Sequence, residues 1–286
     1  MTERWKIHFA RLRELAPRIV RQINDDRIGL TAAGVAFYAL LAIFPGLAAA
    51  VSVWGLIADP GEISAHLSEF RGVLPADVMT VLREQAYEVA AADEGVVSVT
   101  LIFSLAISFF SASRGVKAIM TALNIVYNEK ESRGFLKFNF IAFLMTIAIT
   151  IGFVVAIAAV AIVPIVFELV GLGGLLEPLI GLARWPILFA GAWLGIAALY
   201  RFAPSRSDDA WRWISPGAGA AVVLWIFASI AFSVYAQNFA NYNETYGSIG
   251  AVIVMLMWFW VSAFVFLVGA EIDSEVLPDN TKDRGA

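Results

Sequence analysis

Cysteine is absent from the 286 residues, and histidine occurs only as His8 and His66. The first absence excludes disulfides, thiol catalysis and thiolate metal sites. The second leaves little material for acid–base or metal chemistry. Charge is scarce as well: Asp, Glu, Lys and Arg make up 15% of the chain, against about 25% in an ordinary soluble domain. No P-loop is present, so the chain carries no machinery of its own for ATP hydrolysis. The net charge of −4, without clustered basic and aromatic residues, gives no footprint for nucleic acid. No cofactor is expected, and no metal site.

What fills the chain instead is apolar: 60% of residues are hydrophobic. Crossing a bilayer as a helix takes about 20 consecutive apolar residues. Six stretches fit: 30–58, 95–113, 138–167, 178–200, 213–236 and 247–270. Five of them carry no formal charge, and the fourth carries only Arg184 near its start. The expected fold class is therefore all-α: a polytopic membrane protein, a six-helix transmembrane bundle forming one domain over 1–286.

Lysine and arginine fix the expected orientation. Seventeen lie in the N-terminal segment, the loops after the second and fourth spans, and the tail; three (Arg71, Arg83 and Arg184) fall on the other side. By the positive-inside rule both termini are cytoplasmic. This topology places His8 and His66 on opposite faces, where they cannot share a site. The first 27 residues lack the apolar core of a signal peptide. Trp5, Phe9, Leu12, Ala16 and Ile19 recur at helical spacing among arginines. That pattern fits a cytoplasmic amphipathic helix, lying either on the anionic inner leaflet or against its own protein.

Residues 59–94 carry eight acidic and two basic residues. Apolar positions on either side of Pro75 predict an external acidic helical hairpin. From Gly95 to Tyr127 the only charges are Arg114 and Lys117, and nothing stops a helix before residue 128. The second helix is expected to be long, with Arg114 at the inner edge of the hydrocarbon. Small residues at four-residue spacing (Ala148, Gly152 and Ala156; Gly191 and Gly195) suit close helix packing. Pro45, Pro164 and Pro186 interrupt the backbone ladder within or beside spans, which only surrounding protein or a wet cavity tolerates.

Glu271, Asp273 and Glu275 follow the last span and are expected at its solvated cytoplasmic end. Glu271 is also expected to pair with Arg114 or Lys117, because a carboxylate stranded at the membrane edge is costly. The polar stretch 235–251 joins the last two spans on the outer face, with its tyrosines in the headgroup layer. Gly247 and Gly250 suit a tight structural turn there, and Asn238, Asn241 and Asn243 can satisfy backbone groups. An outer mouth of a pathway is the competing expectation for the same stretch.

Two blocks, SASRGVKAIMTALNIVYNEKESRGFLK (111–137) and NFANYNETYGSIGAVIVMLMWFWVSAFVFLVGAEID (238–273), together with LTAAGVAFYALLAIFPGL (30–47), resemble the YihY/BrkB family of bacterial inner-membrane proteins. The resemblance runs from about Asp26 to Glu275 and implies six transmembrane helices. Its motif positions fall here on Arg114, Gly115, Asn124, Glu131, Arg133, Asn238, Tyr242, Asn243, Tyr246, Gly247, Gly250 and Glu271. Members have carried a ribonuclease label, which this inventory of side chains argues against, and transport of lipids or amphipathic molecules is implied for some. The first expectation is thus a transporter or translocase of lipids or other anionic molecules, not an enzyme. Arg114, Lys117, Arg133, Glu271, Asn238, Tyr242, Asn243 and Tyr246 are its substrate or gating candidates. The second is a non-catalytic scaffold acting on envelope partners. Membrane lipids, and a homo-oligomer or an envelope protein, are the expected partners.

Overall fold

A computed structural model describes residues 15–55, 94–169, 173–205, 215–239 and 248–276. All regular structure among them is α-helical. Helix α1 covers residues 15–25. It is followed by α2 (Ile28–Gly55), α3 (Glu94–Val126), α4 (Phe135–Leu169), α5 (Gly173–Phe202), α6 (Pro216–Phe239) and α7 (Ser248–Val276). The described part of each apolar run read from the sequence falls on a helix. The helices pass through Pro45, Pro164 and Pro186, and α3 runs on past Arg114 to Val126, as a run without breakers should. Three described stretches are long and apolar enough to cross a membrane: Phe135–Gly152, Pro216–Ala236 and Val252–Val276. Their outward faces carry large apolar side chains, among them Phe140, Phe227, Ile230 and Ile253, which water would penalise and lipid does not.

The threonine hydroxyls of α4 are satisfied locally. Thr146 Oγ1 donates to the Ala142 carbonyl at 2.7 Å, and Thr150 Oγ1 to the Thr146 carbonyl at 2.8 Å. Such back-bonding lets a hydroxyl sit in an apolar helix without a partner elsewhere.

The chain divides into two compact units. The first comprises Met1–Ile28, Ile119–Ile226 and Val265–Ala286, and the second Gly29–Ala118 and Phe227–Phe264. In the first, α4 packs along α5, and Met120, Leu123, Val126, Tyr200, Leu267 and Ala270 form the core. In the second, Ala32 and Ala36 of α2 are buried, and Trp260 Nε1 of α7 donates to the Gly29 carbonyl at 2.9 Å. Trp260 also stacks on Phe264, and Phe232 packs on Trp258 with ring centroids 5.3 Å apart.

Several expectations fall outside the described residues: the amphipathic pattern at Trp5, Phe9 and Leu12, most of the hairpin 59–94, and Tyr242, Asn243, Tyr246 and Gly247 in the polar stretch. Asn238 lies in α6 and Gly250 is buried in the first turn of α7.

Candidate functional site

The polar groups of the first unit gather where α6 begins and α7 ends. Ser215 precedes Pro216, and the pair is a helix start written in sequence: a hydroxyl cap followed by a residue whose missing N–H is no loss in the first turn. Ser215 Oγ accepts from the Ala218 N–H at 2.9 Å. The same hydroxyl donates to Asp273 Oδ1 at 2.8 Å, and the Gly217 N–H donates to that oxygen at 3.1 Å. Tyr127 Oη donates to Asp273 Oδ2 at 3.3 Å. Asp273 is 4% exposed, yet three donors and the positive end of α6 hold its charge. The expectation of a solvated end for the last span fails here, because the start of α6 and Tyr127, both far earlier in the chain, supply the donors.

This arrangement requires α6 and α7 to touch backbone to backbone. A Cβ on Gly217 would come within 2.6 Å of Asp273 Cβ, and one on Gly269 within 2.5 Å of Ala221 Cβ. Both positions therefore need glycine for space. Tyr200 closes the crossing by donating to the Phe266 carbonyl, and Trp193 Nε1 donates to the Ser215 carbonyl at 2.9 Å.

A second polar assembly forms after α3. The helix ends with Asn128 in the left-handed region (φ 55°). Its N–H reaches the Ile125 carbonyl at 2.9 Å, and the Glu129 N–H reaches the Asn124 carbonyl at 2.8 Å, the paired bonds of a Schellman ending. The chain is thereby turned so that Glu131 meets Asn124 Nδ2 at 2.9 Å. Arg133 grips the Glu131 carboxylate with two nitrogens, each at 2.7 Å, and donates to the Ala203 carbonyl at 2.9 Å. Asn124 Oδ1 accepts from the Ser205 N–H at 2.7 Å, and the hydroxyls of Ser132 and Ser205 meet at 2.8 Å. The Arg133 side chain is 8% exposed. The bonds from Arg133 draw the Glu131 carboxyl down to about 2. Arg133 is expected from sequence to face a ligand; here its donors hold the α3–α4 connection to the end of α5.

The third feature has no such satisfaction. Glu271 is fully buried, and neither of its carboxylate oxygens has a hydrogen-bond partner. Its charged neighbours are acidic, Asp26 and Glu275 one turn along α7, with the Ser274 hydroxyl acting against them. Two like charges in contact repel by about 4 kcal/mol at an effective dielectric constant of about 20. Asp26 is brought there by a break between α1 and α2, where Arg27 takes a positive φ of 49° and its N–H closes on the Asn24 carbonyl at 3.2 Å. Burial raises the Asp26 carboxyl above its ordinary range, and the neighbouring Asp25 adds to the rise, against a lowering contribution from the adjacent Glu271 carboxyl. Gln22 Nε2 of α1 donates to Glu275 Oε1 at 3.2 Å. Of the two placements open to the N-terminal helix, residues 22–26 thus lie against the protein's own α7.

Arg114 and Lys117 belong to the second unit. Arg114 is exposed, with its guanidinium 4.7 Å from the Phe110 ring centroid, a cation–π contact. Glu271 belongs to the first unit, and its pairing with either cation stays a proposal. Sequence reasoning passed over Asp26, Ser215, Tyr127 and Ser205. Ser215-Pro216-Gly217 was the available signal, a cap-and-proline start; the partners of Asp26 leave no mark in one sequence.

No solved structure matches this chain. Among curated proteins, it is 30% identical over 250 residues to YfkH of Bacillus subtilis, a protein whose name describes it as ribonuclease-like, covering 85% of this chain and 87% of the relative. It is 24% identical over 271 residues to a UPF0761 membrane protein of Pseudoalteromonas translucida, with coverage of 92% and 86%. A UPF0761 membrane protein of Chlorobium limicola is 27% identical over 91% of this chain and 57% of its own length. The family described as virulence factor BrkB matches residues 19–285, the range that contains the buried carboxylates, the capped start of α6 and the Asn124–Glu131–Arg133 assembly. The chain is a membrane protein of the BrkB family.

Proposed function

We propose that this protein is a six-span inner-membrane transporter or translocase for lipids or other amphipathic, anionic molecules, with both termini in the cytoplasm. Arg114 carries the reading. It is an exposed arginine on a helix whose preceding turns are apolar, resting on the face of Phe110. A guanidinium so placed keeps its planar fork for phosphate or carboxylate, and a charge at that depth is seldom retained without a function. Lys117 lies three residues on, on the same side of the helix. The lysine and arginine bias among the loops supports the orientation. The absence of clustered histidines and of thiols supports a non-enzymatic role.

The test is reconstitution into liposomes carrying fluorescent phospholipids of several headgroups. Wild type is expected to move lipid between leaflets faster than empty liposomes, and Arg114→Ala to lose most of that excess. Movement no faster than in empty liposomes, for every headgroup, would sink the proposal. A second reading, a non-catalytic scaffold acting on an envelope partner or a second copy, is favoured by the tight, fully bonded crossing of α6 and α7. It predicts that Arg114→Ala leaves the phenotype of the wild type intact.

A further inference from the structure

We infer that Asp26 and Glu271 form a proton-binding site, in which one proton is held between the two carboxyls. The inference stands apart from the transport reading, because it concerns what the site binds and not what the protein moves. Glu271 is fully buried with both oxygens unpartnered, although Asp26 is close enough to serve as its hydrogen-bond partner. A shared proton resolves these facts. With both groups ionised, neither has a hydrogen to give, and each repels the other. With one proton added, the acid of one donates to the carboxylate of its neighbour, and both the charge conflict and the missing bond disappear.

Among the described residues, no donor makes a hydrogen bond to the Glu271 carboxylate. Glu275, one turn along α7, is a further carboxyl, and its Oε1 already takes the Gln22 amide. From the α1 side the adjoining charge is Asp25, which acts on Asp26. The Ser274 hydroxyl beside Glu271 bonds that residue's main-chain carbonyl at 2.9 Å. Asp273 is two residues away and committed to Ser215, Gly217 and Tyr127. Among the described residues, no three His, Cys, Asp or Glu side chains converge as metal ligands. A proton fits this pair, and a hydrated or multiply coordinated cation does not.

The experiment is infrared difference spectroscopy of the full chain in liposomes, following the carbonyl stretch of a protonated carboxyl from about pH 5 to about pH 9. Wild type is expected to show one such carboxylic acid at neutral pH, lost as the pH rises. Glu271→Gln and Asp26→Asn each replace the shared proton by a permanent amide donor, so both should fold and both should lose the titrating band. Absence of the band from wild type at neutral pH overturns the inference without recourse to any variant; an ion pair of Glu271 with Arg114 or Lys117 would give that result. Persistence of the band in both variants overturns it equally, as does a signal that follows sodium instead of pH.

Discussion

Asp273 and Glu271 sit two residues apart on α7, both buried, both acidic, and they meet opposite fates. Asp273 receives a hydroxyl, a main-chain N–H and a phenol; Glu271 receives none, and faces Asp26 and Glu275. The rotation of about 100° per residue sends positions 271 and 273 toward different elements, while 271 and 275 share a face. Burial alone therefore says little about a carboxylate near the end of an apolar helix. What decides its role is whether the neighbour offers donors or another acid. The first case binds two helices together, and the second creates a demand for a proton.

The widest gap between the two sites should appear on truncating Asp273. Asp273→Ala leaves the Ser215 hydroxyl, the Gly217 N–H and Tyr127 without their acceptor, and should destabilise the protein by about 2–5 kcal/mol, read as a lower melting temperature in detergent. Glu271→Gln, by contrast, should be close to neutral, since its amide supplies the donor that the shared proton supplies in wild type. Equal losses in the two variants would erase the distinction drawn here.

Gly269→Ala tests the same crossing through space and leaves every charge in place. Its methyl would stand 2.5 Å from Ala221 Cβ and 2.7 Å from the Tyr200 hydroxyl, so α6 and α7 must separate at a cost of about 1–3 kcal/mol. A melting temperature equal to wild type would show that the helices are not held as closely as described.

The smallest effect is expected at Glu131, a third answer to the same problem: a carboxylate held by a guanidinium near the surface. Arg133→Ala should cost about 1 kcal/mol, given partial exposure of the pair. Its pH signature is more telling. The Glu131 carboxyl is lowered from 4.5 to about 2, so its contribution is present above 4.5 and lost as pH falls toward 2. The raised Asp26 carboxyl works in reverse: its contribution is complete below the ordinary value of 3.8 and is lost as pH rises through its folded value. Stability measured against pH should therefore decline on the acid side in wild type and Glu271→Gln alike. The decline on the alkaline side should be reduced in Glu271→Gln alone.

The helices were legible because each apolar run is long and nearly free of charge, and the end of α3 was legible because nothing breaks the run before Asn128. The roles of the charged residues were far less so. A charge following an apolar run reads as solvated when only its own segment is considered. The donors that bury Asp273 come from residues 127, 215 and 217, and no periodicity on α7 announces them. From its own segment Arg133 reads as a partner for a headgroup, yet Glu131 stands two residues before it, and the Schellman turn at Asn128 folds the two together. That local pairing was within reach of sequence reasoning. The meeting of Asp26 with Glu271 was not, because it depends on a break at Arg27, a residue type that rarely takes positive φ.

The glycine contact between α6 and α7 also has a mechanical consequence. Two helices separated by side chains can slide, one layer of rotamers exchanging for another as they pass. Where Gly217 lies against the Gly269 carbonyl, no such layer exists, and the Asp273 carboxylate pins the start of α6 beside it. The two helices share a fulcrum. Any displacement of α7 near residue 269 must be a swivel about that point, and the lever arm grows with distance along the helix in both directions.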